Sequence, residues 1–308
     1  MKTIILGSEG MGRIHVPIVG ELWGKKVIEY LIRRLYSNIN IVYKNNNDCN
    51  FIISSHFERN NPYWNYKKKK YMYWSGESYV PKTNENEIKS IYLLTFIIDK
   101  QNFLHIPYFL YSPHLYKQRK YINNKREYFL GYCSSNKVIE REKIFNLFVN
   151  KKGIEMCHSY GKCYGNYPKT NKRKIQNKWY GDDIIDKYSK YQFVIAMENT
   201  CKDGYITEKI INAFYSGAIP IYWGCNSINK YFNEKAFINI NNFNSFEDCV
   251  DYVINLTDED INKMRNEPIY TNDELVNLLN DDYNNKNNNK ILKTYLKKLK
   301  DFIECGLK

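Results

Sequence analysis

Apolar and polar positions follow two alternating rhythms along this chain. Short apolar runs at 14–20, 39–43 and 51–53 read as strands, and residues 25–36 carry Val27, Leu31, Ile32 and Leu35 at helical spacing between the first two. Further on, 126–133 reads as a strand through Tyr128, Phe129 and Leu130, and 140–148 as a helix by the spacing of Ile144, Phe145 and Phe148. The run 191–197 is apolar apart from Gln192, the pattern of a strand covered on both faces of a parallel sheet. A turn through Glu198 and Tyr205 then enters a helix near Thr207, whose hydroxyl is placed to cap the amides of Glu208 to Ile210. Gly217 suits the left-handed position that ends this helix. Residues 218–223 follow as a strand, although Pro220 lacks a ladder donor. Ser245 to Asp248 has the form of a helix start, with Val250, Val253 and Ile254 on one face. An Asn-rich linker at 284–289 precedes a basic helix with Ile291, Leu292, Tyr295, Leu296, Leu299, Phe302 and Ile303 as its apolar stripe. Alternating strands and helices predict an α/β protein, and 308 residues suffice for two such domains.

Composition narrows this picture. With 43% hydrophobic residues and 29 Tyr, the chain has ample core material and does not read as disordered. Its longest mainly apolar stretch, 91–98, falls far short of the roughly 18–20 residues that cross a bilayer. The N-terminal apolar core is too short for a secretion signal, so the chain reads as cytoplasmic with reduced thiols. Eight cysteines occur without a Cys-x-x-Cys pair, and Cys157, His158 and Cys163 fall short of a closed zinc set. The net charge of +13 suggests anionic partners, although an A+T-rich coding sequence would produce the same excess of Lys, Asn, Ile and Tyr. A nucleic-acid-binding protein using this charge and the lysine run 67–70 is one reading, but no nucleic-acid-binding motif accompanies it. The basic amphipathic end, 290–300, could rest on an anionic membrane surface or pack across domains. Gly7, Gly10 and Gly12 follow an apolar run in the order G-x-x-G-x-G, which is not the dinucleotide order and reads as a loop.

The chemistry concentrates around Tyr205 to Lys209. A loop at the carboxyl end of a parallel strand is where open α/β sheets bind ligands, and the following helix N-terminus favours a phosphate. Lys209 in that helix's first turn opposes the macrodipole. It either neutralises a bound anion or forms an exposed pair with Glu208. Asp182-Asp183 and Asp281-Asp282 read as solvated carboxylates.

These segments carry a resemblance. Residues 193–200 (FVIAMENT), 204–214 (GYITEKIINAF) and 217–224 (GAIPIYWG) resemble the signature of the α1,3/4-fucosyltransferases, glycosyltransferase family 10. The likeness continues through 227–243 and weakens towards the termini. Upstream, Ser134-Ser135-Asn136 with Arg141, residues 159–163 (SYGKC), 74–78 (WSGES) and 104–107 (LHIP) are similar to shorter family motifs. The resemblance implies a GT-B architecture, two Rossmann-like domains facing a cleft. They would comprise an acceptor domain at 1–124 and a GDP-fucose domain at 125–283, followed by a basic helical tail at 284–308. It implies fucose transfer with inversion from GDP-fucose to a hydroxyl, O3, of a GlcNAc or N-acetyllactosamine-type glycan, with no metal or other cofactor required. Carried over residue by residue, Arg141 and Lys209 would neutralise the pyrophosphate, while Asn199, Tyr205 and Glu208 would contact nucleotide, ribose or fucose. Glu77 would be the base, with Glu208 the second catalytic carboxylate. The lack of an evident anchor or stem looks more like the soluble bacterial members. A related GDP-deoxysugar transferase and a glycan-binding homologue without catalysis stay open beside this reading.

Overall fold

The computed structural model describes residues 2–8, 15–17, 21–23, 25–36, 38–44, 48–55, 70–78, 90–99, 102–106, 109, 125–134, 137–161, 182–271 and 296–307. The chain divides into two compact units, Met1–Tyr116 with Glu274–Lys308, and Lys117–Asp273. Gly10, Gly12, Lys67 to Lys69, Pro107, Ser135, Asn136, the basic loop from 162 to 178, the Asn-rich linker and Asp281-Asp282 lie outside the described residues.

The first unit contains β1 (Lys2–Ser8), a small antiparallel pair β2 (His15–Pro17) and β3 (Glu21–Trp23), α1 (Lys25–Leu35), β4 (Ile39–Tyr43), β5 (Phe51–Ser55), β6 (Lys70–Ser75), β7 (Ser90–Leu94) and β8 (Phe103–His105). Six of these strands form a sheet in the order β4-β1-β5-β6-β7-β8, and every pairing in it is parallel. Residues 90–94 thus belong to a strand, with Ile91, Leu93 and Leu94 buried.

The second unit is wound the same way. It contains β9 (Tyr128–Ser134), α2 (Ile139–Lys152), β10 (Cys157–Gly161), α3 (Asp182–Tyr188), β11 (Tyr191–Met197), α4 (Glu208–Tyr215), β12 (Ile219–Trp223), β13 (Ile238–Asn239), α5 (Phe246–Ile254) and α6 (Asp258–Asn266). Its sheet runs β10-β9-β11-β12-β13, parallel throughout. The chain therefore leaves β9 towards one edge and returns past it to β11. Right-handed crossovers then place α2 and α3 on opposite faces of the sheet. Leu130, Tyr132, Phe193, Ile195 and Met197 meet Ile144, Phe145 and Phe148 of α2 and Val250 and Val253 of α5 in one core. Pro220 is accommodated in β12 because β13 pairs only with Ile221 and Tyr222. Gly217 takes the expected left-handed conformation, φ 73°, after α4. Ser245 accepts from the Asp248 amide at 3.0 Å and caps α5 as its sequence suggests.

The thiols of Cys157 and Cys249 are buried in this core, and burial pushes each up to about 12. Iodoacetamide at about pH 8 should therefore alkylate the exposed Cys305 and spare these two in the native protein. Rapid native modification of Cys249, read by mass spectrometry, would contradict the core described here.

The last helix, α7 (Lys297–Leu307), completes the first unit. Leu296, Leu299 and Ile303 are fully buried against Ile4, Leu6 and Ile53 of the sheet and Leu31 and Ile32 of α1. Glu304 accepts from Tyr36 at 2.7 Å and pairs with Lys2, while Lys70 donates to the Cys305 carbonyl at 2.9 Å. Leu296, Leu299 and Ile303 of the apolar stripe read from the sequence are thus core and not available as a membrane face, whereas Ile291, Leu292 and Tyr295 lie outside the described residues. Ile303→Val should cost about 1 kcal/mol in a urea titration, as for an ordinary buried methyl deletion. An unchanged midpoint would remove α7 from the core.

Candidate functional site at the carboxyl edge of the second sheet

Strand order locates the site. β10 lies outside β9 and β12 outside β11, so successive connections diverge between β9 and β11. A doubly wound sheet opens a crevice beyond its strand ends at such a point, because the loops on either side run apart. Arg141, in the first turn of α2, spans that point. Its guanidinium is 1% exposed, donating from Nη1 to Ser134 Oγ at 2.9 Å and from Nη2 to Asn199 Oδ1 at 2.7 Å. Ser134 ends β9 and Asn199 follows β11, so one planar fork ties the two diverging loops together.

Beside it lies a second polar cluster, organised by a residue that the sequence reading passed over. Glu198, directly after β11, is 0% exposed, and its amide continues the sheet by donating to the Trp223 carbonyl at 2.8 Å. Its carboxylate accepts from the Thr207 amide at 2.7 Å, the Thr207 hydroxyl at 2.7 Å and Lys209 Nζ at 3.2 Å. The Thr207 hydroxyl therefore does not cap α4: it makes no bond to a helix amide, and Glu198 takes its proton. A buried carboxylate is the stronger acceptor and has few other partners, so it wins that proton over the helix.

Lys209 is neither exposed nor idle. Its side chain is 23% exposed, with Nζ 2.8 Å from Thr207 Oγ1 and 3.4 Å from Glu208 Oε1. Burial alone would lower its pKa. Glu198 and Glu208 outweigh that effect against opposition from Arg141, and the pKa lies above the ordinary lysine value. Stability from this pairing is therefore intact below the ordinary lysine pKa and is lost only as pH rises through the raised value.

The loop between β11 and α4 is held from β12. Gly204, at φ 77°, donates its amide to Cys225 Sγ at 3.1 Å, and the Cys225 amide donates to the Tyr222 hydroxyl at 3.0 Å. Ser227 donates to Asp203, which holds that carboxyl below its usual range. Tyr205 is buried within this loop. Gly224 passes so close that a Cβ there would lie 2.7 Å from Glu198 Cγ and 2.8 Å from the Tyr222 hydroxyl.

Arg141, Asn199, Tyr205, Glu208 and Lys209 thus all stand at the carboxyl edge of one sheet. Glu77 belongs to the first unit, two residues past the end of β6. Ser75, buried at that strand end, accepts from the Glu77 amide at 3.2 Å and donates to its carbonyl at 3.3 Å. The two residues missing from the sequence-derived set are Glu198 and Thr207. The signal for Glu198 was a charge immediately after a continuous apolar strand, where solvent screening is absent. Among the described residues, no group of three or more His, Cys, Asp or Glu could hold a metal ion, and no helix is long and apolar enough to cross a membrane. Cys157 is core and His158 Nδ1 meets the Tyr191 hydroxyl at 2.8 Å, while Cys163 is outside the described residues.

Comparison with known proteins converges on the same segment. Residues 122–266 match the family model described as glycosyltransferase family 10 (fucosyltransferase), C-terminal. An alpha-(1,3)-fucosyltransferase of Helicobacter pylori is 49% identical over 65 residues, 21% of this chain and 14% of its own. An alpha-(1,4)-fucosyltransferase of Arabidopsis thaliana is 33% identical over 115 residues, 34% of this chain and 28% of its own. The chain thus spans less than a third of the length of either relative. The crystal structure of an alpha1,3-fucosyltransferase with GDP-fucose superimposes with a TM-score of 0.68 at 19% identity, covering 99% of this chain and 91% of that one. A DNA-modifying beta-glucosyltransferase shares the fold more distantly, with a TM-score of 0.52 at 15% identity over 98% of this chain and 99% of the other. Two parallel α/β units of this kind are the GT-B class. The second unit, with Arg141, Glu198 and Lys209 at its sheet edge, carries the segment that matches the model of glycosyltransferase family 10, the fucosyltransferases.

Proposed function

We propose that the chain is an inverting fucosyltransferase that moves L-fucose from GDP-fucose to a hydroxyl, O3, of a GlcNAc-containing glycan. The observation that carries this reading is the Arg141 fork at the point where the second sheet's connections diverge, with the Lys209 ammonium nearby. That is where a leaving diphosphate needs cations. In this reading Glu77 takes the acceptor proton as the acceptor oxygen attacks the fucose anomeric carbon. The bond from that carbon to the phosphate oxygen breaks, and GDP departs with the electron pair. Arg141 and Lys209 offset the charge that GDP gains, and preorganised donors of this kind act without reorganising during the reaction. Asn199, Tyr205 and Glu208 contact the nucleotide, ribose or fucose. The GDP-fucose named with the solved fucosyltransferase and the linkage named for the Helicobacter relative support donor and position. The proposal places the protein in the cytoplasm and needs no metal.

The test is GDP release from the purified chain with GDP-fucose and N-acetyllactosamine-type acceptors, with and without EDTA. Acceptor-dependent release that persists in EDTA is expected. GDP-mannose in place of GDP-fucose should give little release. Calorimetry showing no GDP-fucose binding would remove the donor assignment.

A further inference from the structure

The geometry points to Glu198 as a positioning residue, a fixed carboxylate that aims the Lys209 ammonium at the donor diphosphate and anchors the start of α4. This rests on the donor reading given above.

Three features of the cluster carry it. First, a fully buried carboxylate is costly unless its lone pairs are filled, and here the Thr207 amide, the Thr207 hydroxyl and Lys209 fill them. Second, Glu198 has almost no freedom. Its amide is tied to the Trp223 carbonyl, and the Gly224 backbone lies against its side chain so closely that no Cβ fits there. A carboxylate held this way sets the position of whatever it pairs with. Third, Lys209 has two carboxylate partners of different kind. Glu208 sits on the same helix turn at 3.4 Å and is the one proposed to turn towards the donor, whereas Glu198 at 3.2 Å is locked behind. When Glu208 engages ligand, Glu198 and Thr207 keep the ammonium in place.

The arrangement also sets the charge of the site. Lys209 faces both Glu198 and Glu208, and the Arg141 guanidinium is near enough to oppose its charge. The groups around Lys209 are Glu198 after β11, Thr207 and Glu208 of the α4 start and Arg141 of α2. The Tyr222 hydroxyl of β12 faces Glu198 and is raised well above the ordinary tyrosine value, first by burial and then by that carboxylate. With Glu198 removed, burial and Arg141 would act on Lys209 against Glu208 alone, and its ammonium would lose its proton at lower pH.

The decisive comparison is Glu198→Gln against wild type, using GDP as the calorimetric probe from about pH 7 to about pH 10, with steady-state kinetics alongside. Near neutral pH the variant should bind GDP within about threefold of wild type. Its kcat should fall about 10²-fold, the usual cost of a misplaced catalytic group. Its GDP affinity should then decline at distinctly lower pH than wild type, and Glu198→Asp should recover part of that range. Wild-type binding with coincident pH profiles in the variant would overturn the positioning role alone. A wild-type protein that binds no GDP would overturn the donor reading itself. If Glu198→Gln does not fold, the pH dependence of Lys209 acylation in wild type decides. Titration above the exposed lysines supports the assignment, and titration with them overturns it.

Discussion

Glu77→Gln is expected to reduce kcat by about 10²–10⁴-fold, the range a positioned general base contributes. GDP-fucose binding should stay within about twofold of wild type. The split follows from the chain's division: Glu77 belongs to the first unit, whereas Arg141, Asn199, Tyr205, Glu208 and Lys209 all belong to the second. The carboxamide keeps shape and loses the proton acceptor. The turn that carries it is held by Ser75 bonding both the amide and the carbonyl of Glu77, so substitution of the side chain leaves the backbone anchored. A variant turning over at the wild-type rate would show that another group takes the acceptor proton. Equal loss of donor affinity and rate would instead mean that Glu77 binds substrate without acting as a base.

Arg141→Lys should weaken GDP binding by about 10²-fold, in line with loss of a buried, hydrogen-bonded charge contact. A lysine keeps the charge but is a point donor on a flexible stem, whereas the guanidinium presents two nitrogens to two acceptors at once. Ser134 and Asn199 sit on different loops, so an ammonium can satisfy one and leaves the other without its partner. The same substitution should lower unfolding stability by about 1–3 kcal/mol, the cost of a buried polar group left unpaired. Calorimetry with GDP and a urea titration separate the two effects. Wild-type affinity in a destabilised Arg141→Lys protein would make Arg141 a tie between loops and nothing more.

How much of this was readable beforehand differs between scaffold and site. The strand Tyr191–Met197 and the helix Lys25–Leu35 were legible because burial on a sheet or along one helix face imposes a local period that the side chains must obey. Pro220 read as a warning against a strand, and its neighbour strand's short pairing resolves the conflict. Arg141 could be matched to a family motif, but its burial and its double bond to Ser134 and Asn199 involve residues 7 and 58 positions away. No local pattern encodes such distances. Thr207 shows the reverse case. The local rule that Ser and Thr cap helices was sound, but the structure supplied Glu198, nine residues earlier, as a better partner for the hydroxyl.

Local side-chain chemistry alone determined that this is an α/β chain with parallel sheets, that a loop leaves the carboxyl end of the strand ending at Met197, and that the segments around Arg141 and Lys209 resemble the fucosyltransferases. Period, capping and motif spacing are short-range properties, written within a few residues. Tertiary structure decided what depends on long-range pairing. It made the C-terminal stripe of Leu296, Leu299 and Ile303 core by folding it onto the first sheet, and it set the strand order that puts Arg141 at the divergence point. It also buried Glu198 behind Lys209, because a charge becomes decisive only where the fold has taken away the water that would screen it.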